Sequence, residues 1–199
     1  IVATGYGRFA VPFANKQMSE ITCHAKGIHH LIPDARTIID IGGQDAKAIR
    51  LDHKGNILKF VMNDKCAAGT GRFLEMMART MEMSLDDMGK AGLSYKEDIT
   101  ISSMCTVFAE SEVVSLIAQN KATDDIVHGL NKAVASKTAA LAKRVGGEER
   151  YMMTGGVSKN QGLVKTLEEK LGTTLVISDK AQLCGALGAA LFAKDMVTE

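Results

Sequence analysis

The residues best suited to do chemistry are two cysteines. Cys66 stands in Asn63-Asp64-Lys65-Cys66-Ala67-Ala68-Gly69-Thr70-Gly71 and Cys105 in Ser102-Ser103-Met104-Cys105-Thr106-Val107-Phe108-Ala109-Glu110-Ser111-Glu112, each immediately ahead of a segment with helical spacing. The positive end of a helix dipole lowers a thiol pKa and stabilises bound negative charge, by about 0.3–1 kcal/mol at exposed sites and up to about 2 when partly buried. Two thiolates so placed suit an anionic metal–sulfur centre; the alternative is that each is a small buried residue at a helix start. An iron–sulfur cluster usually takes four thiolates. In a two-fold homodimer the same patch meets itself, so two cysteines per chain become four around one cluster. Cys23 and Cys184 read as packing residues, and no C-x-x-C pair marks a zinc knuckle or thioredoxin-like site.

Three glycine turns form a second group of candidates. In Ile39-Asp40-Ile41-Gly42-Gly43-Gln44-Asp45, an acid at a strand end is followed by two glycines that let backbone N–H groups approach a phosphate, and the Asp can hold a Mg²⁺ water shell. A plain hairpin with a Gly-Gly turn and a capping Asp fits the same residues. Met153-Thr154-Gly155-Gly156-Val157-Ser158-Lys159-Asn160 follows a strand and opens a helix, which suits an anionic or adenosine ligand or an ordinary strand-to-helix turn. Gly69-Thr70-Gly71-Arg72 lies in the first turns of a helix, with Glu75 one turn on, where Arg72 and Glu75 can simply pair with each other. Three such turns in one chain point to a nucleotide fold, although neither the Walker loop nor the dinucleotide fingerprint is present. The histidines show no metal spacing, His29-His30 suits a helix C-terminus, and Glu110 and Glu112 are expected to complement the dipole of the helix after Cys105, with a contribution to a partner-docking surface as the alternative.

The elements that must position these groups alternate along the chain. A helix is predicted over 16–30, then an antiparallel meander of strands over 37–41, 46–51 and 57–62. Helices follow over 67–83, 84–89, 106–119 and 124–145, then a strand over 151–154, a helix over 160–171, a strand over 174–177 and a terminal helix over 182–194. Strands mixed with helices imply α/β. The 199 residues carry 24 basic and 23 acidic side chains, so no global field draws the chain to nucleic acid or anionic lipid. Apolar runs fall short of the roughly 18 residues of a membrane helix, and a cytoplasmic, reducing setting is expected for the cysteines. With 11 Met and no Trp the core must be aliphatic and pliable. The opening Ile1-Val2-Ala3-Thr4-Gly5 has no initiator Met and reads as the end of a strand, so a fragment lacking its beginning is expected.

The two cysteine blocks and glycine turns, with Ala3-Thr4-Gly5-Tyr6-Gly7-Arg8 and Gly185-Ala186-Leu187-Gly188-Ala189-Ala190, resemble over the whole chain the ATP-dependent activators of 2-hydroxyacyl-CoA dehydratases and the ATPase subunits of benzoyl-CoA reductases. The resemblance implies an α/β, actin/Hsp70/sugar-kinase-like (ribonuclease H-like) ATPase fold with its N-terminal part missing, and a homodimer bridged by one 4Fe-4S cluster. By position, Cys66 and Cys105 are its ligands. Asp40, Gly42, Gly43, Gln44 and Asp45 form the second phosphate hairpin for ATP/ADP and Mg²⁺, with Gln44 and Asp45 as catalytic candidates. Gly69, Gly71, Arg72 and Glu75, and then Gly155, Gly156 and Asn160 at the adenosine, complete the nucleotide contacts. Members of the family begin with another hairpin, Asp-x-Gly-Ser-Thr, which nothing here matches. The implied division is 1–33 as a remnant of an N-terminal subdomain, 34–184 as a C-terminal subdomain, and 185–199 as a helix returning to the first. The implied function is ATP-driven one-electron donation to an acyl-CoA dehydratase or reductase, with ferredoxin or flavodoxin as donor. A small-molecule kinase or a non-catalytic nucleotide-binding regulator is the alternative.

Overall fold

A computed structural model describes residues 1–64, 66–102 and 105–198. Val2–Ala3 (β1) pairs in parallel with Lys16–Gln17 (β2), and Glu20–Leu31 (α1) follows. The helix therefore starts later than the predicted 16. Its boundary is set by Ser19, whose hydroxyl accepts the Thr22 N–H as an N-cap.

The meander forms as expected. Thr37–Ile41 (β3), Ala46–Leu51 (β4) and Ile57–Asn63 (β5) pair antiparallel, while Tyr151–Thr154 (β6) and Leu175–Val176 (β7) extend the sheet in parallel, giving the order β5-β4-β3-β6-β7. Every residue of β3 is buried, which is why its sequence is nearly continuous apolar rather than alternating. Ile39 and Ile41 enter the larger core and Ile38 the smaller one, so β3 separates two apolar layers.

The larger core is closed by Gly71–Thr80 (α2), Leu85–Ala91 (α3), Thr106–Ala118 (α4), Thr123–Val145 (α5) and Gln161–Leu171 (α6). The smaller one is covered by α1 and Cys184–Thr198 (α7), which pack on each other. Met77, Met88, Met152 and Met153 are fully buried, the pliable packing expected of this composition. α2 is shorter than the predicted 67–83. Thr70 donates its hydroxyl to the Ala67 carbonyl and Gly69 adopts φ +93°, so residues 67–70 form a turn that helical φ/ψ cannot continue through. α5 ends at Gly146, whose left-handed conformation supplies the C-cap. α7 begins and ends later than 182–194. Among the described residues no helix is long and apolar enough to cross a membrane.

Candidate functional site

The β3–β4 turn at Gly42-Gly43 is the floor on which the other glycine segments converge. The Gly42 N–H donates to the Asp45 carbonyl at 2.9 Å, closing the turn. The first N–H groups of α2 then dock onto it: Gly71 donates to Gly42 O at 2.8 Å and Arg72 to Gly43 O at 2.9 Å. A Cβ at position 71 would lie 3.1 Å from both Gly42 O and Gly43 Cα, so glycine permits this close approach. At the end of β6, Gly155 has φ +85°, and a Cβ there would stand 2.2 Å from Ile41 O. Backbone thus meets backbone at the ends of β3 and β6, as it does at the start of α2.

These segments enclose an open cleft of about 440 Å³, and six of the predicted nucleotide contacts line it: Gly42, Gly43, Gly71, Glu75, Gly156 and Asn160. Leu74, Leu85, Asp86, Val157, Lys159 and Gln182 also line it and were not predicted. A glycine floor, two leucines and one lysine provide close backbone approach to an anion, an apolar wall for a flat ring, and a cation. Asn160 has a structural duty as well, since its side-chain oxygen caps α6 by accepting the Leu163 N–H at 2.8 Å. Arg72 lies outside the lining and makes the simple pair with Glu75, 3.6 Å apart. Gln44 is exposed at the turn, Gly155 is packed beneath the cleft, and Gly69 belongs to a different groove.

Asp40 and Asp45 do not line the cleft. They are 2% and 4% exposed and share the ammonium of Lys47, which donates to Asp45 Oδ1 at 2.7 Å, Asp40 Oδ2 at 3.1 Å and Glu20 Oε1 at 3.2 Å. Thr154 donates to Asp40 Oδ1 at 2.8 Å and the Tyr6 hydroxyl to Asp45 Oδ2 at 2.9 Å. Both carboxylates are thereby fixed by protein donors. Burial alone would lower the Lys47 pKa, but the attraction of Asp40, the Asp45 hydrogen bond and the charge of Glu20 outweigh it and hold the ammonium above its ordinary range. Glu20, His24 and Asp40 have the composition of a cation site, their ligand atoms lying within 4.8 Å of one another. Lys47 contacts both of the carboxylates there and supplies the cation itself. The sequence reading missed Lys47, although a signal existed: counting back from the Gly-Gly turn pairs Asp40 with Lys47 across the hairpin, as the observed register does.

The four cysteines separate by environment. Cys23 and Cys184 are fully buried as expected. Burial raises both thiol pKa values, and the nearby Asp40 charge helps push Cys184 up to about 11. Cys66 and Cys105 are exposed, and none of the four forms a disulfide. The exposure disfavours their reading as small buried residues, and soft sulfur donors at a surface fit an iron–sulfur centre.

Cys105 is the N-cap residue of α4, with extended backbone at φ −86° and ψ 133°, as predicted. Cys66 does not directly precede α2, because the turn over 67–70 intervenes; a helix field confined to the first turn therefore gives it little. Its loop is held instead by Asn63, whose amide donates to Cys66 O at 3.0 Å and Ala68 O at 3.3 Å. Glu110 and Glu112 also differ from expectation. They lie beyond the first turn of α4, where Glu110 accepts from Thr80 of α2 at 3.0 Å and Glu112 from the Ser102 N–H at 3.0 Å. They tie α4 to α2 and to the segment ahead of Cys105 rather than complementing a dipole. α4 leaves Val107, Phe108, Val114 and Ile117 exposed.

The model of the BadF/BadG/BcrA/BcrD ATPase family matches residues 1–193. The activator of lactoyl-CoA dehydratase from Anaerotignum propionicum is 56% identical over 96% of this chain and 74% of its own length. The (R)-2-hydroxyglutaryl-CoA dehydratase activating ATPase of Acidaminococcus fermentans is 49% identical over 96% of this chain and 74% of its own. The solved activator of the 2-hydroxyisocaproyl-CoA dehydratase from Clostridium difficile, with bound ADPNP, superimposes with a TM-score of 0.96 at 48% identity, covering 99% of this chain and 74% of that one. The fold is the expected α/β, actin-like ATPase fold. On this sequence match and this architecture, the chain belongs to the BadF/BadG/BcrA/BcrD ATPase family.

Proposed function

We propose that the protein is an ATP-driven electron donor that activates a 2-hydroxyacyl-CoA dehydratase or a benzoyl-CoA reductase-type enzyme. Cys66 and Cys105 of two copies would together hold one 4Fe-4S cluster, which when bound supplies one-electron reduction. One observation carries this reading: the helix end that borders the glycine cleft is bonded to the Gly42-Gly43 turn and also follows the Cys66 loop. Activators similar in sequence, one of them solved with ADPNP, support the adenine nucleotide and the partner class.

The chain's residues supply the linkage. A nucleotide shifts the protein only if it binds one arrangement better than another. A displacement of the Gly42-Gly43 turn passes to α2 through the Gly71 and Arg72 N–H groups, and from α2 to α4 through the Thr80–Glu110 hydrogen bond. Both cysteine-bearing segments therefore respond to one floor. Of the proposed hydrolytic pair, Gln44 is exposed at the turn and would face the nucleotide, while Asp45, buried outside the cleft lining and held by Lys47 and Tyr6, would act by fixing the turn. Mg²⁺ would accompany the nucleotide, and the partner enzyme would handle the CoA thioester. Ferredoxin or flavodoxin would reduce the protein. The division into 1–33, 34–184 and 185–199 belongs to the same proposal and draws support from the packing of α1 on α7.

The test is electron transfer from the anaerobically purified, reduced protein to a dehydratase partner. Transfer that requires ATP in the wild type and is absent from Cys66→Ala supports the reading. A colourless protein that phosphorylates a small acceptor would replace it with the kinase alternative.

A further inference from the structure

A second groove, of about 290 Å³, runs between α5 and the loop that carries Cys66, and is separate from the glycine cleft. We propose that it binds a phosphate-class anion.

One wall is a single stripe of α5. Lys137, Ala140, Leu141 and Arg144 recur at the three- and four-residue spacing that places side chains on one face. The opposite wall is Ala46, Met62 and Asn63 at the end of β5, and Gly69. The groove is lined by two cations and by no carboxylate. Arg144 is exposed and takes part in none of the ion pairs among the described residues, whereas Lys121 and Lys132 each face an acid within 2.7 Å. The small Ala140 between the cations leaves the stripe open. Thr138, which also lines the groove, is 2% exposed and its buried hydroxyl has no hydrogen-bond partner. That hydroxyl is shut off from the open groove, so the two cations carry the site.

Lys137 is held in place by its surroundings. Its stem packs on Gly69, where a Cβ would come within 3.1 Å of Lys137 Cδ, and its ammonium donates to Ala68 O at 3.3 Å. A fixed ammonium and a guanidinium fork two helical turns away suit a phosphate, through a point charge and a bidentate contact. Inorganic phosphate and the phosphate of a small metabolite share this chemistry.

The test titrates inorganic phosphate, and separately a phosphate monoester, phenyl phosphate, into the full chain saturated with ADP so that the glycine cleft is filled, with heat as readout. The expected result is one phosphate per chain, weakened about tenfold or more in Arg144→Gln, as loss of a charge-assisted contact requires, and unchanged in Lys143→Gln. ADP affinity of Arg144→Gln should equal that of the wild type, which separates this site from the nucleotide reading. Tighter binding of phenyl phosphate would identify an organic phosphate as the occupant, and tighter binding of phosphate the free ion. Absence of phosphate binding beside ADP, or equal binding by Arg144→Gln and wild type, would overturn the proposal. Lys137→Gln repeats the test from the other cation.

Discussion

The charge cluster at the β3–β4 hairpin and the two exposed cysteines are built on opposite principles. Around Lys47 each carboxylate has a donor from this chain and both aspartates are buried. Around Cys66 and Cys105 the backbone is braced by Asn63 and Glu112, but both cysteines are exposed, and so are Val107, Phe108, Val114 and Ile117 of α4. The first region completes itself, and changes there should cost stability. The second is organised for something outside the chain, and changes there should cost function alone.

The largest stability effect is expected for Lys47→Met. Removing one member of a buried ion cluster typically costs about 3–5 kcal/mol because the remaining charges are left uncompensated, and the urea midpoint should fall accordingly. A midpoint equal to wild type would mean that Asp40 and Asp45 do not need their cation.

Gly71→Ala should come next. Overpacking against Gly42 O and Gly43 Cα costs about 1–3 kcal/mol, offset by up to about 1 from replacing glycine in a helix. The net loss of about 1–2 kcal/mol should be accompanied by weaker adenine-nucleotide binding. Normal nucleotide affinity in this variant would separate α2 from the cleft. Asn160→Ala removes the N-cap of α6 and should cost about 1 kcal/mol, read from thermal unfolding.

A smaller effect is expected in acid. Hydrogen bonds from the Glu97 and Lys96 N–H groups, in that order, hold the Asp125 carboxyl below its ordinary range. A depressed folded-state pKa gives stability that is present above the ordinary carboxylate range, near pH 4, and lost as pH falls through the folded value. Asp125→Asn should flatten that part of the stability profile; an unchanged acid limb would assign it to other carboxylates. The smallest stability effects belong to Cys66→Ala and Cys105→Ala, within about 0.5 kcal/mol as for other exposed positions. A large loss at either would place them with the first region.

The meander, the strand at 151–154 and the long helix closing at Gly146 were legible because hydrophobic period and turn residues agreed there. The start of α2 was not, since Ala67-Ala68 has helical propensity and only the left-handed Gly69 breaks it. Of the site, the glycines that line the cleft could be read as turns with open backbone. Lys47, Leu74 and Leu85 could not, because a buried lysine, a core leucine and an exposed one at a helix start carry no local mark of the surface they serve. The exposure of Cys66 and Cys105 against the burial of Cys23 and Cys184 is likewise a tertiary property.

Iron and acid-labile sulfide per chain, measured with native mass after anoxic isolation, test the central claim most directly. Four irons and four sulfides per pair of chains are predicted, lost from Cys66→Ala and from Cys105→Ala while nucleotide binding persists. A Cys105→Ala protein that retained its full iron content would contradict the assignment.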